Sequence, residues 1–147
     1  MFYNFRKNRK AFTLVELIVV IAIIAILGAV VGVTVSTFVN RAKKTAATEP
    51  LNQLAGMWTN KEEGQTIGDY LKELFTEEQQ KCIKVSASGQ LSKKALTENL
   101  TIMFHDDNCG NYYGVLVINK STGAGKAEAK DDSSTVTNWG SYTALKS

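Results

Sequence analysis

Residues 12–39 form a run of 28 positions with a single formal charge, Glu16, and no other feature constrains the chain as much. As a helix the run spans roughly 42 Å at ~1.5 Å per residue, more than the ~30 Å of bilayer hydrocarbon. One membrane crossing is therefore expected. Four of the 17 basic residues, Arg6, Lys7, Arg9 and Lys10, stand just ahead of the run. Positive flanks stay cytoplasmic, which puts the N-terminus in the cytoplasm and residues 40–147 outside. A secretory signal peptide shares the basic start, but its apolar core is usually only about 7–15 residues and ends at a small-residue cleavage pattern. Here Asn40-Arg41-Ala42-Lys43-Lys44 follows instead. A plain signal anchor gives no reason for Glu16.

A carboxylate inside a spanning helix costs up to ~2.5–3.5 kcal/mol at the centre, and less near an end. Intramembrane charges are functional candidates for that reason. The run contains no Lys or Arg to pair with Glu16. A free α-amino group at Phe12, on this chain or on a neighbouring copy, would supply the missing charge.

The order of basic stretch, Ala11-Phe12-Thr13-Leu14-Val15-Glu16 and about twenty apolar residues resembles the N-terminus of type IV prepilins and pseudopilins. The resemblance covers roughly residues 6–40. It implies that a membrane prepilin peptidase cuts between Ala11 and Phe12, that Phe12 is N-methylated, and that Glu16 neutralises the terminal amine of an adjacent subunit. The implied partners are further pilin copies, the peptidase, the pilus-assembly machinery and, before assembly, the lipid bilayer. Two positions depart from the family pattern: Ala11 stands where glycine is usual, and Gly32-Val33-Thr34 occupies a stretch where many pilins have proline. Gly28 and Gly32, a Gly-x-x-x-Gly pair, would permit both local unwinding and close helix approach.

Beyond residue 39 the chain carries 13 basic and 13 acidic residues, so its formal charge is zero and nucleic-acid binding gains no support from net charge. The helix is expected to continue, because Ala46, Ala47, Leu51, Leu54 and Trp58 repeat at helical spacing, with Pro50 kinking or ending its first part. A second helix is read in residues 66–80, with Ile67, Leu71, Leu74 and Phe75 on one face. Strands are expected at Ile83 and Val85, over 100–105 and over 111–119, the last covered on both faces, and a final one within 134–142. Residues 121–125 read as a loop and 124–134 as low in complexity. The architecture is α+β: a long N-terminal helix packed on a small antiparallel sheet. Its divisions are a leader (1–11), an apolar helix (12–39) and a globular head (40–147).

One histidine, His105, excludes a Ser-His-Asp triad and a multi-histidine metal site. Asp106, Asp107 and Asn108 fail the EF-hand spacing, leaving only an irregular calcium site with Asp131 or Asp132 to consider. The Gly123–Lys126 stretch lacks the first glycine and the final hydroxyl of a P-loop. No catalytic residue, cofactor or metal site is expected, and enzymatic activity is not. Cys82 and Cys109 lie in the segment expected outside the cytoplasm, where an even count favours one disulfide over two buried thiols. The whole is read as a pilus filament subunit, with a pseudopilin and a signal-anchored surface binding protein as rivals. Its expected course runs from the cytoplasmic membrane to an extracellular filament.

Overall fold

The computed structural model describes residues 11–131 and 136–146. It comprises two compact units that divide between Val39 and Asn40.

The first unit is helical from Leu14 onward, as part of helix α1 (Leu14–Met57). Every position from Ala11 to Val39 is exposed. The most apolar 18-residue window has a mean hydropathy of 3.1, and none of it is buried. Its hydroxyls are satisfied internally: Thr34 Oγ1 donates to the Val31 carbonyl at 2.9 Å, Ser36 Oγ to Val33 at 2.9 Å and Thr37 Oγ1 to Val33 at 3.1 Å. A helix that satisfies its own backbone and hydroxyl groups is one of two structures a hydrocarbon layer accepts. It is long and apolar enough to cross a membrane.

In the second unit, α1 continues through Pro50 to Met57 instead of ending at the proline. Pro50 lacks the N–H that would bond the Ala46 carbonyl, a loss that packing on both sides of it outweighs. Ala47, Leu51 and Leu54 are buried against a five-stranded sheet. Its strands are β1 (Ile83–Val85), β2 (Leu100–Phe104), β3 (Tyr112–Ile118), β4 (Ala127–Asp131) and β5 (Thr143–Ala144). They lie in the order β4-β3-β2-β1-β5, every pair antiparallel. The register aligns Ile102 with Leu116 and Ala127, and Leu100 with Ile118. These residues turn to the helix side and join Leu51 and Leu54 in one core.

The sheet's other face is only partly covered. Met103 and Val115 are buried there, but Val117 is 47% exposed, so β3 is not enclosed on both faces along its length. The cover comes from Trp139: Lys84 Nζ donates to its carbonyl at 3.1 Å and sits 4.7 Å from its ring, and Tyr113 packs edge-on to it.

Three further expectations need correction. The single second helix is two, α2 (Ile67–Leu74) and α3 (Glu77–Lys81), because Thr76 starts a new helix with a reciprocal capping box to Gln79. The buried Gln80 amide bridges the break, donating to the Lys72 and Phe75 carbonyls at 2.8 Å each. The low-complexity stretch contains β4, whose Ala-Glu-Ala-Lys-Asp composition has weak strand preference but which β3 pairs along its full length. The last strand lies at Thr143–Ala144, not within 134–142. Val136–Ser141 forms 3-10 turns, and 134–135 lie outside the described residues.

Candidate functional site

The expected cleavage point sits in backbone that is not yet helical: Ala11, Phe12 and Thr13 precede α1. Phe12 is 89% exposed. At the helix start, Thr13 and Glu16 cap each other. The Glu16 N–H donates to Thr13 Oγ1 at 3.3 Å, while the Thr13 N–H and hydroxyl donate to Glu16 Oε2 at 2.9 and 3.1 Å. This reciprocal arrangement satisfies backbone donors that have no partner within the helix. It also places the carboxylate beside the positive end of the helix dipole. Sequence reading sought a partner for Glu16 only in an α-amino group, on this chain or a neighbouring copy, and overlooked Thr13. The signal was present, since Thr-x-x-Glu before an apolar run is a capping-box signature.

Further along the helix, Gly28 and Gly32 lie one turn apart on an exposed surface. A Cβ built at either would meet nothing within 4 Å. Packing within the chain therefore gives no reason for glycine at these positions, which each cost about 1 kcal/mol relative to alanine in a helix interior.

Cys82 and Cys109, expected as a disulfide, are free thiols in this structure. The Cys109 thiol donates to Asp106 Oδ1 at 3.1 Å. Burial, reinforced by Asp106 and by Cys82, pushes its pKa up to about 12. Burial also raises the Cys82 thiol, with Asp106, Asp107 and Glu78 adding to the effect. Both thiols thus resist becoming the thiolate that disulfide exchange requires. Asp106 caps the 3-10 turn Asp107–Cys109 by accepting the Asn108 and Cys109 N–H groups at 3.0 and 3.2 Å. Burial pushes its carboxyl up, yet the hydrogen bonds from Cys109 and Asn108 outweigh that and leave its pKa lowered. Among the described residues no three His, Cys, Asp or Glu side chains gather as metal ligands, and Asp132 lies outside them. The ring of His105 is occupied structurally: its Nδ1 lies 2.9 Å from the Tyr112 carbonyl and the ring stacks on Tyr113 at 4.0 Å.

Residues 6–32 match the family model described as the prokaryotic N-terminal methylation motif, which is the signature of type IV pilins and pseudopilins. The motif points to a structural subunit and not to an enzyme. With the apolar helix it fits a membrane-anchored precursor of pilin type. No curated protein and no solved structure matches the chain.

Proposed function

We propose that this chain is a structural subunit of a type IV pilus. It would be inserted as a single-pass precursor, cut between Ala11 and Phe12, methylated at Phe12, and drawn into a helical filament whose surface is formed by residues 40–147. The observation that carries this reading is a methylation motif opening a helix with no buried residue through Val39.

Physical chemistry assigns the residues distinct parts in assembly. Lipid already solvates the apolar surface of residues 12–39, so moving it among other helices gains little hydrophobic free energy. Close packing and polar pairing must supply the preference for the filament. Gly28 and Gly32 would let neighbouring helices approach closely. The amine exposed by cleavage would pair with Glu16 of an adjacent copy in surroundings that screen charge weakly. The capping box with Thr13 supports this sequence of events, because it holds Glu16 in a hydrogen-bonded state until the amine arrives.

The deciding experiment is the intact mass and N-terminal residue of the protein from its native envelope, with a peptidase-deficient strain alongside. A chain beginning at N-methylated Phe12 and recovered in sheared surface filaments is expected. Processing without abundance in the filaments would reassign it as a pseudopilin. A chain that still begins at Met1 in both strains would make it an anchored surface domain.

A further inference from the structure

The peptide bond between Ala11 and Phe12 has both of its polar groups free. Among the described residues the Ala11 carbonyl accepts no hydrogen bond and the Phe12 N–H donates none. Had α1 begun one turn earlier, the Val15 N–H would bond that carbonyl and Phe12 would sit inside the helix. The bond that opens the helix runs instead from the Leu17 N–H to the Thr13 carbonyl, at 3.2 Å. Ala11, Phe12 and Thr13 are all exposed, so burial does not hold them out of the helix.

What stops the helix is the chemistry of Thr13. Its N–H, which a longer helix would turn toward the Arg9 carbonyl, is taken by Glu16 Oε2 at 2.9 Å. Its hydroxyl takes the Glu16 N–H at 3.3 Å. Together these bonds fix Thr13 as the cap. The residues ahead of it supply no stop of their own. Alanine, at position 11, is the strongest helix former, and the arginine and lysine at positions 9 and 10 rank close behind. The next residue upstream suited to an N-cap is Asn8. A helix started there would carry the Ala11–Phe12 bond in its first turn. The charges of Arg9 and Lys10 oppose such a start through the helix dipole, while their backbone propensity and that of Ala11 favour it. A single cap is on the scale that decides between the two starts.

We infer that Thr13 is a positioning residue for leader removal: by capping α1 it keeps the Ala11–Phe12 bond outside the helix, with its carbonyl open to attack. The inference rests on the reading that processing occurs at this bond. In that hydrolysis, water adds to the Ala11 carbonyl carbon and the bond to the Phe12 nitrogen breaks. The nitrogen takes up a proton, leaving an Ala11 carboxylate and the Phe12 amine. A helical bond would first have to give up its intrahelical hydrogen bond and leave the helix, since cleavage follows exposed and unbonded backbone. Alanine at position 11 sharpens the need for the cap. Glycine there would itself disfavour the helix by about as much as one cap contributes.

The test follows the rate of leader removal from the full-length precursor in membranes that contain the peptidase. Beside it, the Cα chemical shifts of Ala11 and Phe12 are read in the full-length precursor in detergent micelles. Thr13→Val keeps the shape and loses the hydroxyl; it should slow removal about 2- to 5-fold and move both shifts toward helical values. Thr13→Asn has another shape but caps at least as well, and should restore both the rate and the shifts. Ala11→Gly should speed removal at least about twofold more in the Thr13→Val background than beside Thr13, because it alters the conformation only once the cap is gone. Three results would each overturn the inference alone: an undiminished rate in Thr13→Val, slow removal in Thr13→Asn with unmoved shifts, or equal gains from Ala11→Gly in both backgrounds. The second would mean that the peptidase reads the threonine side chain itself. Failure of the unaltered chain to be cut would overturn the cleavage reading and this inference with it.

Discussion

Gly114 on β3 leaves the space that the Ala47 carbonyl of α1 occupies: a Cβ on Gly114 would stand 1.9 Å from that oxygen and 3.1 Å from Leu51 Cδ1. The helix can therefore lie on the sheet only where this strand carries no side chain. The colliding atom is backbone, which cannot rotate away, so Gly114→Ala should cost about 3 kcal/mol, the upper end of ordinary overpacking. Gly56→Ala is the control, since nothing lies within 4 Å of a Cβ there; it should be neutral or stabilise by up to about 1 kcal/mol. Urea unfolding of the full chain in micelles, followed by circular dichroism, compares the two.

Much of this fold was legible because hydrophobic period is a strong signal over long elements. The helix stripe through Ala47, Leu51 and Leu54 and the run from Tyr112 to Ile118 both have it. β4 escaped because its residues are poor strand formers and its place is set by pairing with β3, a long-range effect invisible to local pattern. The helix break at Phe75 escaped for the opposite reason. Its signal, Thr76-Glu77-Glu78-Gln79, is a local capping box hidden within an apolar pattern that reads straight through. At the N-terminus the motif was legible in full, but Thr13 was overlooked because Glu16 was weighed as a charge and not as a cap.

Gly28 and Gly32 should be dispensable for the head and necessary for the filament. Replacing both by leucine places side chains where the chain offers no contact within 4 Å. The urea midpoint of the head is expected to stay unchanged. Filament yield in the sheared surface fraction should fall about 10-fold or more if close helix approach at this pair contributes 1.4 kcal/mol or more per subunit, roughly the scale of packing and polar contacts between membrane helices. An unchanged yield would remove these glycines from the assembly interface.

Stability should fall on the alkaline side. In the unfolded chain the Cys109 thiol loses its proton near its ordinary 9.0, but in the folded chain only near about 12. The folded state thus holds a proton that the unfolded state releases first, and raising the pH favours unfolding. The contribution is complete below about pH 9 and is lost between about 9 and 12. Tyr70, also raised by burial and by Glu73, adds to the same limb above its ordinary 10.0. Urea midpoints measured against pH should be flat up to about 9 and then decline. Cys109→Ala should make that decline shallower, whatever it does to the height of the plateau.

Glu16 has two separable roles in this account, and a pair of variants divides them. Glu16→Gln keeps a side-chain oxygen able to accept the Thr13 N–H, so the capping box survives while the charge disappears. Thr13→Val does the reverse: it keeps the carboxylate and removes the hydroxyl that caps the Glu16 N–H, at a cost of about 1 kcal/mol to the helix start. If charge pairing with a terminal amine drives assembly, Glu16→Gln should be processed at Phe12 normally and yet leave almost no sheared filaments. Thr13→Val should reduce filaments only a few-fold. N-terminal sequencing of the membrane fraction, beside an immunoblot of the sheared fraction, reads both steps. Equal losses in the two variants would mean that the helix start is what assembly needs. Normal filaments from Glu16→Gln would reject the pairing outright.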